Sequence, residues 1–357
     1  MNKTKKIILI LTFIFIVLNV TIACSKKNIV SETNLPNEII ESTSKEPIPS
    51  TEAPEEPEEP TEPTELIIIT EEEPEEFRLT ILHTNDWHGR IENVPQYSTI
   101  VKQVREEVEN VLLLDGGDIY RRGPYEDFCG AAETEILNKM KYDAMVFGNN
   151  DFPLKNKELY DVSEHTILKI AEFPVVCGNV TIDGEYVKGF EPYIIKGMQG
   201  IKIAIIGVTS MKPHDRGLDL SKRYLFSDPV KIVRELALET DEISDIQIAL
   251  SHAGIDADKN MRGVSAIIGG DDHMSLISPR IIHDGENKIP IVQTGGESDH
   301  YLGRLDLVYE KGQDKWVLKE FDGYLFSLDD VVPDQEIQDI IDRYDNLINS
   351  PEELPAA

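Results

Sequence analysis

The stretch IIGGDDHMSL, residues 267–276, begins as an apolar run, passes through two glycines and ends in two aspartates and a histidine. An apolar run broken by Gly-Gly is typical of a buried strand that leaves its sheet. Polar residues just past such an exit usually point into a crevice that several strands share. The stretch therefore predicts a polar crevice at a sheet edge, to which other strand exits contribute.

From Phe77 onward, short apolar segments alternate with amphipathic ones. Segments rich in Val, Ile and Leu and mostly closed by Gly, Asn or His indicate strands: FRLTILHTN, VLLLDGG, DAMVFGN, FPVVCGN, IKIAIIGV, IQIALSH, AIIGG and IPIVQTG. The segments between them that indicate helices are QYSTIVKQVREEVEN, AAETEILNKMK, NKELYDVSEHTILKIAE and PVKIVRELALET. A hairpin of LGRLDLVYE and DKWVLKEFDGYLF and a last helix, PDQEIQDIIDRYDNLI, follow. Apolar strands separated by helices imply sheets covered on both faces, so the predicted fold class is α/β.

Residues 1–24 have the layout of a secretory signal: lysines, a mostly apolar stretch, then small residues before Cys24. A cysteine directly after Ala23 is typical of bacterial lipoproteins, in which it is lipidated; a plain cleaved signal and an uncleaved anchor are the alternatives. We expect an extracytoplasmic protein attached to the cell membrane as a lipoprotein. Cys129 and Cys177 remain in the folded part and could pair in an oxidising compartment, which the sequence leaves open.

Residues 25–76 are low in complexity, with 8 prolines, 16 acidic residues against 3 basic ones and no aromatic residue. Such a segment buries too little apolar surface to offset its ordering entropy, so we expect a disordered, acidic linker. It accounts for 13 of the 31 net negative charges, and the part from Phe77 is itself acidic. This charge argues against nucleic acid or anionic lipid as a partner.

Residues with metal-ligand chemistry follow five of the predicted strands. They are Asp86, His88, Asp118, Asn149, Asn150, Asp151, His252, Asp271, Asp272 and His273. Strand ends on one edge of an α/β sheet converge even when they are distant in sequence. Imidazole and carboxylate together suit borderline and hard divalent ions. Each residue alone also fits a turn or a surface position, whereas the ordered set favours a metal centre.

At these positions the sequence resembles the 5'-nucleotidase branch of the metallophosphoesterase (calcineurin-like) superfamily. The matching blocks, in order from about Phe77 to Phe326, are ILHTNDWHGRI, LLLDGGDIYRRG, YDAMVFGNNDF, ALSHAG, AIIGGDDH and IVQTGGESDHYLGRLDL. The resemblance implies a two-sheet sandwich flanked by helices over residues 77–330. It also implies two divalent ions of Mn, Zn, Mg or Fe. One would be held by Asp86, His88 and His273, the other by Asn149, His252 and Asp271, with Asp118 as the bridge.

The chain departs from the family pattern at chemically decisive positions. Where the family reads G-N-H-[ED]-F-D, this chain has Asn150 at the catalytic histidine and Pro153 at the aspartate that orients it. Where the family has G-H-x-H or G-H-x-Q, Asp271 replaces the first histidine. An additional anionic ligand lowers the Lewis acidity of the ion and favours harder metals such as Mn²⁺ or Mg²⁺. We therefore expect a metal site with altered chemistry.

Residues 331–357 are predicted to form a C-terminal helix and tail. In the family this helix leads to a second domain that grips the nucleoside, and we expect that domain to be absent because the sequence ends at Ala357. No site that recognises a base can therefore be carried over from the resemblance.

Two functional hypotheses follow. The first is a surface-tethered, metal-dependent phosphoesterase acting on small phosphorylated substrates such as nucleotides, through a hydroxide activated by two metals, with activity weakened by Asn150. The loss of a general acid costs on the order of 10² to 10⁴ in rate. The second is a non-catalytic, metal-binding pseudo-enzyme or surface binding protein on the same fold. The retained ligand set favours the first hypothesis, and the substitutions at the dyad favour the second.

Overall fold

The computed structural model describes residues 76–152, 165–210, 224–313 and 315–350. The predicted signal and lipidation site at Cys24, residues 25–75 of the predicted linker, and Pro153 lie outside the described residues, whereas Glu76, the last residue of the predicted linker, begins a strand. The predicted helix over 156–172 is described only from His165, and the predicted tail only as far as Ser350.

The described strands follow the predicted segments closely. In chain order they are β1 (Glu76–Thr84), β2 (Val111–Asp115), β3 (Ala144–Val146), β4 (Val175–Val176), β5 (Val180–Ile182), β6 (Glu185–Tyr186), β7 (Phe190–Glu191), β8 (Tyr193–Met198), β9 (Ile201–Thr209), β10 (Leu225–Phe226), β11 (Ile246–His252), β12 (Ala266–Ile268), β13 (Arg280–Asp284), β14 (Asn287–Val292), β15 (Gly303–Lys311) and β16 (Trp316–Leu325). The sequence-based prediction missed β5 to β8, β10 and β13, which are short or lie at sheet edges.

The described helices are α1 (Val94–Glu107), α2 (Ala131–Met140), α3 (Thr166–Ile170), α4 (Pro229–Thr240), α5 (Ile255–Asp258) and α6 (Gln335–Asn349). Helix α4 begins where the sequence predicts, because Asp228 caps it by accepting from Val230 N and Pro229 stands in its first turn. None of the helices within the described ranges has the length and apolar content needed to span a bilayer.

Two large sheets carry the fold. The first has the strand order β16-β15-β1-β2-β3-β4-β7, in which β1 to β4 and β7 run parallel and the hairpin β15-β16 adds antiparallel strands. The second has the order β13-β14-β12-β11-β9-β8, parallel from β14 to β9 with an antiparallel strand at each edge. A small third sheet has the order β10-β5-β6.

The sheets pack face to face, and helices cover their outer faces. Apolar residues of both sheets form the core between them: Leu79, Ile81, Leu112, Ile203, Ile205 and Ile248. Residues that alternate with these point outward and pack against helices, as Leu82 does with α1, α2 and α6, and Ala249 with α4. This arrangement confirms the predicted α/β sandwich. The two cysteines of the described part are unpaired, with Cys129 exposed and Cys177 buried.

Candidate metal centre

The carboxyl ends of the parallel strands converge at one edge of the sandwich. Asp86 and His88 follow β1, Asp118 follows β2, and Asn149 follows β3 in the first sheet. His252 is the last residue of β11 in the second sheet, and Asp271 and His273 follow β12. Contacts between these side chains bring all seven predicted ligands into one cluster.

The cluster has two groups of donor atoms. In the first, His88 Nε2 lies 3.1 Å from His273 Nε2, and Asp86 Oδ1 lies 3.7 and 3.4 Å from these two nitrogens. In the second, His252 Nε2 lies 3.2 Å from Asp118 Oδ2, 3.1 Å from Asn149 Oδ1 and 3.7 Å from Asp271 Oδ1.

Two carboxylates lie between the groups. Asp118 Oδ2 is 3.7 Å from His88 Nε2, as expected of a bridge, and Asp86 Oδ1 is 3.9 Å from His252 Nε2. Asp86 therefore belongs to both sets of atoms that could surround an ion, one with His88 and His273 and one with Asp118 and His252. By the resemblance, Asp118 alone would bridge the two ions. In the structure, Asp86 also lies between the two groups of donor atoms.

Backbone carbonyls set the orientation of two of the histidines. His88 Nδ1 lies 3.0 Å from the carbonyl oxygen of Arg121, and His252 Nδ1 lies 2.5 Å from that of Gly116. In the neutral ring, an Nδ1–H that donates to a carbonyl leaves the lone pair on Nε2, the atom that faces the carboxylates. Both rings are thus oriented as metal ligands.

The donor chemistry fits a pair of divalent cations. Asp86 Oδ1 is buried and has no hydrogen-bond partner within the described residues, although three imidazole nitrogens surround it. An unpaired carboxylate oxygen in a dry site is costly unless a cation balances it. Carboxylate, carboxamide and imidazole donors are those that Mn²⁺, Zn²⁺ and Fe²⁺ accept.

The electrostatics of the cluster are those of a cation site. Burial lowers the pKa of His252, but Asp118 and Asp86 outweigh it and raise the pKa well above the usual range. Burial raises the pKa of Asp118, and the opposing effect of His252 and His88 leaves it below its usual value. The carboxylates thus hold a proton at His252 that a bound ion would replace.

Five of the seven predicted ligands have a left-handed backbone. The φ angles are 53° at Asp86, 49° at His88, 60° at Asp118, 80° at Asp271 and 54° at His273. Such a conformation costs about 1–3 kcal/mol per non-glycine residue and is concentrated at functional sites, where the surrounding structure enforces it. Each of these residues lies just past a strand end, so the strained turns direct its side chain into the cluster.

Asp151 fixes the turn that carries Asp118. Its carboxylate accepts from the backbone N–H of Asp118 at 2.7 Å, of Ile119 at 3.0 Å and of Gly148 at 2.9 Å. A Cβ on Gly148 would lie 2.2 Å from Asp118 Oδ1, so only glycine fits beside that carboxylate. The sequence analysis placed Asp151 at a strand end but assigned it no role. Its position three residues after Gly148 was the feature that could have indicated its part in fixing this turn.

Asn150, at the family's acid position, is also bound to Asp118. Its backbone N–H donates to Asp118 Oδ1 and its Nδ2 to Asp118 Oδ2, both at 2.6 Å. Arg121 Nη1 donates to the carbonyl oxygen of Asn150 at 3.2 Å.

The remaining candidates are not members of the two groups of donor atoms. Asp272 accepts a hydrogen bond from Ile255 N at the start of α5. Of the histidines predicted to be structural or exposed, His83, His165 and His300 are buried and His283 is exposed, while His214 lies outside the described residues. His300 Nδ1 lies 3.1 Å from the Tyr97 hydroxyl.

Comparison with known proteins agrees with this geometry. Residues 79–275 match the model of the calcineurin-like phosphoesterases. The trifunctional nucleotide phosphoesterase YfkN of Bacillus subtilis is 30% identical over 272 residues, which cover 66% of this chain and 18% of that protein. Human 5'-nucleotidase is 28% identical over 282 residues, covering 66% of this chain and 47% of that protein.

Solved structures show the same fold. A 5'-nucleotidase precursor from Thermus thermophilus superposes with a TM-score of 0.66 and 23% identity over 78% of this chain and 60% of its own. The calcineurin-like phosphoesterase YfkN of Bacillus subtilis superposes with a TM-score of 0.63 and 22% identity over 78% of this chain and all of its own.

The chain belongs to the calcineurin-like phosphoesterase family. This confirms the predicted metallophosphoesterase fold, and the relatives support its 5'-nucleotidase branch. The chain spans about half the length of the 5'-nucleotidases it matches and less than a fifth of YfkN.

Proposed function

We propose that this protein is a metal-dependent hydrolase of small phosphorylated molecules such as nucleotides, tethered outside the cytoplasm and slowed by the replacement of its acid. The observation that carries the proposal is the orientation of His88 and His252. Their Nδ1 atoms face carbonyl oxygens and their Nε2 atoms face Asp86 and Asp118. A cation at the centre would satisfy both lone pairs and both carboxylates together.

Each residue of the cluster has a part in the reaction. His88, His273 and Asp86 would hold one ion, His252, Asn149 and Asp271 would hold the other, and Asp118 would contribute to both. Such ions, when bound, lower the pKa of water and neutralise phosphate oxygens, which in-line displacement at phosphorus requires. Asp151 fixes the turn at Asp118 by accepting hydrogen bonds from its backbone, so that the Asp118 side chain is already placed among the other predicted ligands.

Asn150 limits the reaction that this chain performs. A carboxamide donates a hydrogen bond to a phosphate oxygen but has no proton to give to a leaving alkoxide. Esters whose leaving groups need protonation therefore react slowly, by on the order of 10² to 10⁴ relative to a site with a general acid. Activated aryl esters lose less, because their leaving groups depart without a proton.

A second candidate function, a non-catalytic metal-binding protein, is favoured by one contact. Asn150 donates to both carboxylate oxygens of Asp118. In this arrangement the carboxamide of Asn150 is bound to a predicted metal ligand.

The test is turnover by the full chain reconstituted with Mn²⁺ or Zn²⁺. We expect hydrolysis of p-nitrophenyl phosphate, slower hydrolysis of nucleoside monophosphates, and loss of both activities in Asp118→Asn. Bound metal without turnover of any ester would contradict the hydrolase and support the binding protein. For the tether, Cys24→Ala should move the protein from the membrane fraction to the soluble one, and an unchanged distribution would contradict lipid anchoring.

A further inference from the structure

An ion pair stands beside the metal centre and has no part in holding it. Arg122 Nη1 lies 2.6 Å from Glu297 Oε1, although the two residues are 175 positions apart in sequence. Arg122 follows Asp118 by four residues, and Glu297 follows strand β14.

Both ends of this pair are tied to metal ligands through the backbone. The carbonyl of Arg121, the residue before Arg122, faces His88 Nδ1 at 3.0 Å. The N–H of Glu297 donates to the carbonyl oxygen of Asp86 at 2.8 Å. The backbone next to Glu297 also lies close to His273, because a Cβ added to Gly296 would lie 2.6 Å from His273 Cγ. The pair therefore lies next to the first group of donor atoms.

The pair is open to solvent, unlike the ligands it adjoins. The side chains of Arg122 and Glu297 are 32% and 43% exposed, whereas those of Asp86 and His88 are fully buried. Arg122 and Glu297 also have left-handed backbones, with φ of 77° and 52°. Because that conformation is costly for such residues, the fold enforces the placement of both charges.

The net charge expected at the metal centre indicates a role for Arg122. Two divalent ions would carry four positive charges, and Asp86, Asp118 and Asp271 would cancel three, which leaves a weak attraction for a phosphate dianion. Arg122 adds a positive charge next to the first group of donor atoms. A guanidinium also presents parallel donors that match phosphate oxygens.

We propose that Arg122 is a substrate-binding residue that grips the dianionic phosphate of a phosphomonoester, and that Glu297 holds it in place until substrate arrives. The phosphate displaces the Glu297 carboxylate from the guanidinium and no covalent bond changes. The site then favours monoesters, which carry two negative charges near neutral pH, over diesters, which carry one. This inference rests on the proposed function, since it names the substrate class of the same site.

The test compares KM and kcat for p-nitrophenyl phosphate and bis(p-nitrophenyl) phosphate in the full chain loaded with Mn²⁺. Arg122→Gln should raise KM for the monoester about tenfold, the low end of what a charge-assisted hydrogen bond contributes, and leave kcat within about twofold. The effect on the diester should be smaller. Glu297→Gln should lower KM for the monoester, because the arginine no longer has a competing partner.

The matched control is Arg78→Gln. Arg78 forms the same kind of pair, Nε to Glu76 Oε1 at 2.7 Å, at the opposite end of strand β1 from the metal centre. Its loss changes the net charge equally and should leave both KM values unchanged. A KM for Arg122→Gln equal to that of the control overturns the proposal. If Arg122→Gln fails to fold or to bind metal, Glu297→Gln decides, and an unchanged or higher monoester KM overturns it.

Failure of the proposed function has a separate signature. If the loaded wild type hydrolyses neither ester, the binding of inorganic phosphate is measured by titration calorimetry in place of turnover. Phosphate that binds about tenfold more weakly to Arg122→Gln than to Arg78→Gln supports the role of Arg122 in a protein that is not a hydrolase. Equal affinities overturn it.

Discussion

Asp258 offers a quantitative test of the packing behind the metal centre. It lies at the end of α5 and is buried. It accepts a hydrogen bond at 2.6 Å from the Oγ of Ser251, the residue that precedes His252. Its Oδ2 has no hydrogen-bond partner within the described residues. Burial raises the pKa of this carboxyl from 3.8 to about 8, so the folded protein holds it neutral at pH 7.

The sign of the resulting pH dependence follows from the direction of the shift. Because the folded-state pKa lies above the unfolded value of 3.8, the contribution of Asp258 to stability is complete below that pH and is lost as pH rises to about 8. The loss is about 1.4 kcal/mol per pH unit, which amounts to about 3 kcal/mol between pH 5 and pH 7. Asp258→Asn cannot ionise and should remove this part of the slope.

The assay is urea unfolding of the metal-free chain, with a chelator present, at pH 5, 6 and 7. Other groups, His252 among them, also titrate, so the informative quantity is the difference in slope between wild type and variant. Asp256→Asn is the matched control, because Asp256 is exposed and paired with Lys259 at 2.9 Å. If Asp258→Asn and wild type lose stability in parallel from pH 5 to pH 7, the carboxyl is already ionised and the reasoning is wrong.

Other predictions concern the site itself. Asn150→His should raise hydrolysis of nucleoside monophosphates by about 10² or more and change aryl ester hydrolysis less, and equal gains on both substrates in steady-state assays would contradict the missing-acid explanation. Gly148→Ala should abolish metal binding, because the new methyl group would meet Asp118 Oδ1 at 2.2 Å; full metal occupancy by elemental analysis would refute this. Since His252 has a raised pKa, metal binding should release about one proton near pH 7, and metal affinity should rise about tenfold per pH unit. Calorimetry in buffers of different ionisation enthalpy measures the number of protons released, and a value of zero would contradict this prediction.

Local patterns account for most of the fold that the sequence could predict. Strand β11 coincides with the apolar segment IQIALSH, and α4 with PVKIVRELALET, where Asp228 and Pro229 mark the start. The edge strands β8 and β13 were missed. Both are only partly buried, so they lack the continuous apolar run that marked the central strands.

The ligand types at strand exits were equally visible, because parallel strands deliver their carboxyl ends to one edge. Three features of the site were not visible. The left-handed turns at the ligands depend on backbone geometry that the presence of aspartate or histidine does not predict. The central place of Asp86 depends on how the two sheets meet. The pairing of Arg122 with Glu297 joins residues that follow strands of different sheets, for which a single sequence carries no local signal.

The cluster around Asp86 and Asp118 is predicted to bind two divalent ions. The most direct measurement is the metal content of the full chain by elemental analysis after equilibration with Mn²⁺ and removal of free ions. Asp183→Asn is the matched control, because Asp183 is exposed and has the same left-handed backbone, with φ of 52°, as Asp118. The structure predicts about two ions per chain in wild type and control and a clear loss in Asp118→Asn. Wild type without bound metal, or Asp118→Asn with full occupancy, would contradict the claim.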